Sequence, residues 1–554
     1  MSDPFTLPAS AGRARSDACT VADLVWLAAE HTPQADAVVF PASRTTYHQL
    51  HQRATAVARS LLALGVGRGD RVGLLMPNCP AFLDVVVGAA TIGAVVVPVN
   101  ARFKVTELAY VVAHAGLRVL CTTDLVADHV DFVALLSEAL PGLADAARPD
   151  ALALPDAPAL RSVVLFGQAQ PPGLLDEAAF GALGAAVTVD AVDRAAERVR
   201  LRDPAIMMYT SGTTARPKGC VLSHEAVVRN ARAARRRFRL QGGDRFWDPL
   251  PLFHMGAVLP WLACADAGAA FVTTTHFDPA EALAMIGSGG ATFLYPTFPT
   301  ITQALLHHPD FARTDLRAVR AMLNVAPPDQ LRAMQQALPQ AVQVGSYGCT
   351  EMGGVVAYNE LDDTLEQRLV TCGRPFPGIE VIVVDEAGTV VAPGQPGEIW
   401  VRGYSLFDGY HDDPEHTAAV LDGDGWFHSG DVGALDADGR IAYRGRIKDM
   451  LKVGGENVAA AEIESFLCTH PAVKIAQVVG VPDDRLVEVP AAFVELHDGQ
   501  RLSAEELVAF CHGRIARFKV PRYLRLVDSW PMSATKIQKF KLRQQLLAEL
   551  GRPG

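Results

Sequence analysis

At 554 residues the chain has room for three or four structural units of about 150 residues each. With 49% hydrophobic and 20% charged residues it can bury large cores, while a formal net charge of -11 argues against a general nucleic-acid binder. Nine cysteines show neither a CxxC pair nor Cys/His ligand spacing, which argues against a disulfide framework and a zinc site and leads us to expect reduced thiols in the cytoplasm. The N-terminal stretch lacks the apolar core of a signal peptide. No apolar run long enough for a membrane span stands out: the best candidate, Ala81 to Val99, carries Asp84, two glycines and Pro98, and reads as a buried helix running into a strand.

In chain order, the patterns predict a helix over Thr55 to Leu64, a strand over Arg71 to Met76, a helix over Ala81 to Ile92 and a strand over Gly93 to Val99. Strands alternating with helices imply a parallel sheet covered on both faces. Residues 145–200, rich in Ala, Pro and Asp, read as an excursion, and alternation resumes from Pro204 to about residue 340. Within it, Arg232 to Arg239 (RAARRRFR) is a basic run that fits either a solvated helix face or a place near an anionic nucleotide or cofactor. Glu380 to Val384, Gly397 to Gly403 and Arg440 to Arg444 are short strand patterns parted by Gly/Asp turns, as in a small antiparallel barrel. The fold class is therefore α/β. We expect an N-terminal domain of residues 1–445, with αβ-layered subdomains at about 1–200 and 201–345 and a β-barrel at about 346–445, followed by an α+β domain of 446–554.

The most informative string is Tyr209-Thr210-Ser211-Gly212-Thr213-Thr214-Ala215-Arg216-Pro217-Lys218-Gly219, which follows an apolar stretch. Its glycines let the backbone approach a polyphosphate, its hydroxyls donate to phosphate oxygens, and Lys218 adds positive charge. It differs from a P-loop, which needs Gly-Lys-Ser/Thr leading into a helix. Tyr347-Gly348-Cys349-Thr350-Glu351 offers an aromatic ring, a tight turn and a carboxylate of the hard-oxygen type that suits Mg²⁺.

These strings resemble the adenylate-forming (AMP-binding) enzymes, particularly the acyl-CoA synthetases, and the resemblance runs from about Thr46 to the C-terminus. It implies a nucleotide site made of Thr210, Ser211, Gly212, Thr213, Thr214, Lys218, Ala326, Ser346, Tyr347, Gly348, Thr350, Asp431 and Arg446. In it Tyr347 stacks on adenine, Thr350 contacts the α-phosphate, Glu351 holds the metal, and Asp431, within Trp426-Phe427-His428-Ser429-Gly430-Asp431, accepts from the ribose hydroxyls. Gly445-Arg446-Ile447-Lys448-Asp449 resembles the hinge about which a mobile C-terminal domain swings, with Lys448 at the pivot. Gly454, Gly455 and Glu456 then resemble the loop lining the pantetheine path of coenzyme A. His254, in Pro251-Leu252-Phe253-His254-Met255-Gly256, falls at the gate to the adenylate, and the acyl pocket is expected from His254, Met255, Val258, Tyr295, Thr297, Val325 and Met352. No acid follows His254 where amino-acid-activating relatives carry an aspartate, so an α-amino acid substrate is not expected.

Two strings depart from the family pattern. Pro531-Met532-Ser533-Ala534-Thr535-Lys536 lacks the usual glycine before the catalytic lysine, making Lys536 the best match and Lys539 the fallback. Leu323-Asn324-Val325-Ala326-Pro327 stands where most relatives have a Gly-Gly-Ala-Pro-like string; there Val or Asn would narrow the adjacent space, and the crotonobetaine/carnitine-CoA ligase subgroup, similar here and at Asn100-Ala101-Arg102, points to a compact acid. The resemblance implies an acid-thiol ligase using ATP, Mg²⁺ and coenzyme A, with Lys536, Thr213, Glu351 and His254 as catalytic residues. A ligase to a carrier protein, a luciferase-like oxygenase and a non-catalytic nucleotide binder are the alternatives. The expected partners are small molecules, with no nucleic acid and no membrane span, and a homodimer is the oligomer considered.

Overall fold

The computed structural model describes residues 17–210, 216–326, 328–453, 456–483, 485–533 and 536–552, with the side chains of 456, 457, 533 and 536 also outside the description. Two large sheets carry the N-terminal part. In the eight-stranded sheet, Arg71–Leu75, Val95–Pro98, Leu117–Thr123 and Ser162–Phe166 run parallel, and Val95–Pro98 also pairs with Pro204–Thr210. The apolar run of Val95–Pro98 shows why both faces must be covered: Val96 joins one hydrophobic cluster, and Val95 and Val97 join another. The helices Tyr47–Ala63 and Pro80–Thr91 belong to the first cluster.

The seven-stranded sheet is ordered Val342–Val344, Ala321–Asn324, Phe293–Thr297, Arg245–Trp247, Ala270–Val272, Asp36–Phe40 and Ser43–Thr46. The division expected near residue 200 does not follow the sheets. Asp36–Phe40 and Ser43–Thr46 cross to the sheet built from residues 245–344, while Pro204–Thr210 and Lys218–Ser223 complete the other one. Tyr47 helps lock this crossing: it is fully buried and its hydroxyl donates to Cys264 O at 3.1 Å and Ala269 O at 2.6 Å. Residues 145–200 are likewise more than an excursion, because Ser162–Phe166 is a wholly buried strand and Glu177–Ala185 packs against Tyr47–Ala63.

The antiparallel region comprises a three-stranded sheet (Ser346–Tyr347, Ala357–Tyr358, Arg374–Pro375) and a four-stranded sheet (Ile379–Val384, Gly397–Gly403, Phe427–Leu435, Ile441–Arg446). Beyond it, a five-stranded sheet, with Ala460–Leu467, Ala504–Cys511 and Lys539–Glu549 as its helices, builds hydrophobic clusters drawn only from residues after 450. The fold is thus a mixed α/β architecture with a large N-terminal and a smaller C-terminal domain. Among the described residues, no helix is long and apolar enough to cross a membrane.

Candidate active site

Strand Pro204–Thr210 turns back as Lys218–Ser223, and the antiparallel register sets Thr210 opposite Lys218. Ser211, Gly212, Thr213 and Thr214 lie outside the described residues. A Cβ at Gly219 would come within 3.0 Å of the Met207 sulfur and 3.3 Å of His411 Cβ, so glycine gives room where the neighbouring strand closes in. That neighbour is Gly409–Tyr410, paired with Val221 and Cys220.

Tyr410 joins two of the expected residues. The Lys218 ammonium sits 5.0 Å from the centre of its ring, and its hydroxyl donates to Glu351 Oε1 at 2.8 Å. Burial, and then the Glu351 charge, push the Tyr410 hydroxyl far above its ordinary range, so it stays protonated as the donor. Glu351 sits in the short Thr350–Met352 turn, with Phe407 N donating to its carbonyl at 2.9 Å. The buried Asn230 amide grips the same turn, donating to Gly353 O at 2.9 Å and Val355 O at 2.8 Å.

A second corner lies four residues upstream. Tyr347 donates its hydroxyl to Asp431 Oδ2 at 2.9 Å, and Arg446 Nε stands 3.4 Å from Asp431 Oδ1. Asp431 and Arg446 face each other in register on adjacent strands. The Asp431 N–H donates to Ser429 Oγ at 3.0 Å, and that hydroxyl donates to Ile399 O at 2.6 Å. The Tyr347 hydroxyl is held well above its ordinary range, first by burial and then by the Asp431 charge. Between the corners, a Cβ on Gly348 would meet Gly354 O at 2.5 Å and Val355 Cα at 2.6 Å, so the turn that separates Tyr347 from Thr350 requires glycine.

His254 stands at the start of the Met255–Ala267 helix, without a capping side-chain hydrogen bond, and packs edge-on to Phe253, ring centres 4.8 Å apart. Met255 approaches the Glu351 turn: a Cβ on Gly354 would lie 3.0 Å from Met255 Cβ. Met255, Val258, Met352 and Tyr295 are buried in one cluster, where the Tyr295 and Tyr358 hydroxyls hydrogen-bond at 2.7 Å. Thr297 has a left-handed φ of 60°, and its carbonyl accepts from Val325 N at 2.8 Å. The narrowing expected from Asn324 does not arise at its side chain. Its amide donates to Gln343 Oε1 on the adjacent strand at 2.6 Å and accepts from Thr302 Oγ1 on the Pro299–Leu306 helix at 2.5 Å, while Val325 is 48% exposed and Ala326 half-buried.

Lys448 is exposed in the Ile447–Asp449 turn directly after Arg446. Gly454 and Gly455 lie outside the described residues, and Glu456 opens the strand Glu456–Ala459. The Lys536 backbone pairs with Ser533 in a two-stranded ribbon, its side chain lying outside the description. The fallback, Lys539, is held 2.5 Å from Glu464 Oε1 in a small cavity that also contains Tyr443 and Arg446. Among the described residues no group of three or more His, Cys, Asp or Glu could cage a metal. Tyr410 and Asn230 were missed from sequence: a Gly-Tyr pair 59 residues from Glu351 and one helical asparagine carry no local signal of this contact.

The fold is that of a two-domain enzyme of the adenylate-forming class. The AMP-binding enzyme family model matches residues 25–411, and the model of the AMP-binding enzyme C-terminal domain matches 462–536; the chain belongs to this family. It is 36% identical to the putative acyl-CoA synthetase YngI of Bacillus subtilis, over 95% of this chain and 97% of that one. It is 34% identical to the human mitochondrial medium-chain acyl-CoA ligase ACSF2, over 95% and 87%. Among solved structures it is similar to ATP-bound MatB from Rhodopseudomonas palustris, with a TM-score of 0.80, 27% identity, and coverage of 95% and 98%. The chain is an acyl-CoA synthetase of the adenylate-forming superfamily, an ATP-dependent acid-CoA ligase that works through an acyl-adenylate.

Proposed function

We propose that the acid activated here is a medium-length aliphatic carboxylic acid, and that the two corners divide the work of activating it. The substrate carboxylate attacks the α-phosphorus of ATP, giving acyl-AMP and pyrophosphate; the coenzyme A thiol then attacks the acyl carbon and AMP leaves. Tyr347, Asp431 and Arg446 hold adenine and ribose. Thr210, Ser211, Gly212, Thr213, Thr214 and Lys218 receive the phosphates, with Thr350 at the α-phosphate. Lys536 offsets charge on the carboxylate during the first step, and rotation about Lys448 brings Gly454, Gly455 and Glu456 to the thiol path for the second.

The observation that supports this division is the Tyr410 bridge, whose ring meets the Lys218 ammonium and whose hydroxyl donates to Glu351, so that one residue gathers a cation and a carboxylate. A lone carboxylate suits Mg²⁺, a hard ion that takes its remaining oxygens from phosphates and water, so Glu351 would hold it, and the ion would supply charge neutralisation at the phosphates. The acid's length is inferred from the activity that the name of ACSF2 records, and Met255, Val258 and Met352 supply an apolar cluster beside the Glu351 turn. All nine cysteines are free thiols, which supports a reducing compartment such as the cytoplasm. The test is a panel of short, medium and long straight-chain acids, assayed for CoA-dependent AMP release. We expect kcat/KM to peak at medium length; a peak at short or branched acids restores the compact-acid reading and overturns ours.

A further inference from the structure

The basic run falls on the helix His224–Phe238 and just past its end, where five arginines (Arg229, Arg232, Arg236, Arg237 and Arg239) line one cavity of about 460 Å³. None of the residues forming it belongs to either corner of the active site. The partners of each arginine decide what the cavity can hold. Arg229 pairs with Glu225 at 2.9 Å and lies over the Tyr404 ring at 3.9 Å. Arg232 is matched by Asp266 at 3.1 Å and by Asp17, and Arg239 by Asp362. Glu360, which also lines the cavity, stands 3.7 Å from Arg374.

Two guanidinium groups, those of Arg236 and Arg237, form no close ion pair among the described residues, although the Glu360 and Asp363 charges partly offset the burial of Arg237. Arg237 is half-buried and donates only to main-chain carbonyls, those of Tyr358, Arg374 at 3.0 Å and Pro375 at 3.4 Å. Its burial disfavours the cation, pulling its pKa below the ordinary value, and an anion in the cavity would offset that cost. Arg236 is exposed, and no described residue pairs with it. Arg239 holds a left-handed φ of 52° at the helix end, a place that glycine occupies more readily. Two cations without a close ion pair favour a ligand with at least two negative charges, and the planar fork of each guanidinium matches phosphate oxygens.

We propose that this cavity is a second anion site, binding a compact oligophosphate: free pyrophosphate or the phosphate tail of a nucleotide. The test is hydrogen–deuterium exchange on the full chain with inorganic pyrophosphate and, separately, with Mg·ATP. We expect slowed exchange across 229–240 and 358–361; protection by pyrophosphate assigns the free anion, and protection by ATP alone assigns the nucleotide tail. Arg236→Ala with Arg239→Ala changes two exposed side chains and should weaken that protection at least about tenfold in ligand concentration, on the scale of losing charge-assisted hydrogen bonds. ATP-dependent protection across 204–223 reports that the variant is folded, and the single Arg236→Glu variant serves if the double one is not. No protection across 229–240 by either probe at millimolar concentration, or equal protection in variant and parent, overturns the proposal.

Discussion

The Tyr347 corner and the Tyr410 corner lie only a few residues apart along the Tyr347–Glu351 segment, yet they are wired differently. In the first, Asp431 already takes a hydroxyl hydrogen bond from Tyr347 and faces the Arg446 guanidinium across a strand pair. In the second, Lys218 faces the surface of an aromatic ring, and Glu351 accepts from a neutral hydroxyl. The contrast follows the chemistry proposed for each. Adenine and ribose keep their charge throughout the reaction, so a corner closed in advance binds ground and transition states alike. Charge moves at the phosphates, where the Lys218 cation and the Glu351 carboxylate can respond to it.

The sharpest way to break this comparison is Glu351→Gln. We expect the rate of adenylation at saturating ATP to fall about 1000-fold, on the scale of losing a preorganised transition-state group. Acid-dependent pyrophosphate release checks it, and an unchanged rate would remove Glu351 from the metal role. Lys536→Ala should lower acyl-AMP formation about 100-fold while leaving the conversion of supplied acyl-AMP and coenzyme A intact, since an interaction made in one transition state alone affects that step. If Lys539→Ala shows that pattern instead, the later lysine acts in this step and would first have to leave Glu464.

Milder effects sharpen the contrast. Asp431→Asn removes the charge that Tyr347 and Arg446 share, and should raise KM for ATP about tenfold with kcat held within about twofold, the signature of uniform binding. Tyr410→Phe should do the opposite on a smaller scale. Loss of one hydrogen bond worth about 1 kcal/mol predicts a roughly fivefold fall in kcat with KM for ATP little changed. Equal shifts of kcat and KM in both variants would erase the distinction between the corners.

Much of the central sheet could be read from the chain because its strands are short apolar runs with clear ends, as at Arg71–Leu75 and Val95–Pro98. Ser162–Phe166 was hidden by flanks rich in Ala, Pro and Asp, although the strand itself is wholly buried. The membership of Asp36–Phe40 in the second sheet had no local signal, since its parallel partner Ala270–Val272 lies more than 200 residues away and pairing is set by tertiary packing. In the candidate site, Tyr347, Glu351, Asp431, Arg446 and Lys218 stand in strings of unusual residue types, and the fold brings Tyr347 to Asp431, Asp431 to Arg446, and Lys218 and Glu351 to Tyr410. What stayed hidden was support. Tyr410 and Asn230 act through contacts that only the folded chain creates, and the side chain of Asn324 turned into the sheet rather than toward the expected pocket.

The claim on which all of this rests is that ATP is cleaved at the α-phosphorus by the substrate acid before coenzyme A takes part. Exchange of labelled pyrophosphate into ATP, measured with a medium-chain acid and with coenzyme A omitted, tests it most directly. Our account predicts acid-dependent exchange without coenzyme A, and release of AMP with thioester once coenzyme A is added. Nucleotide binding with no exchange for any acid in the panel, or formation of ADP and phosphate in place of AMP and pyrophosphate, would contradict it.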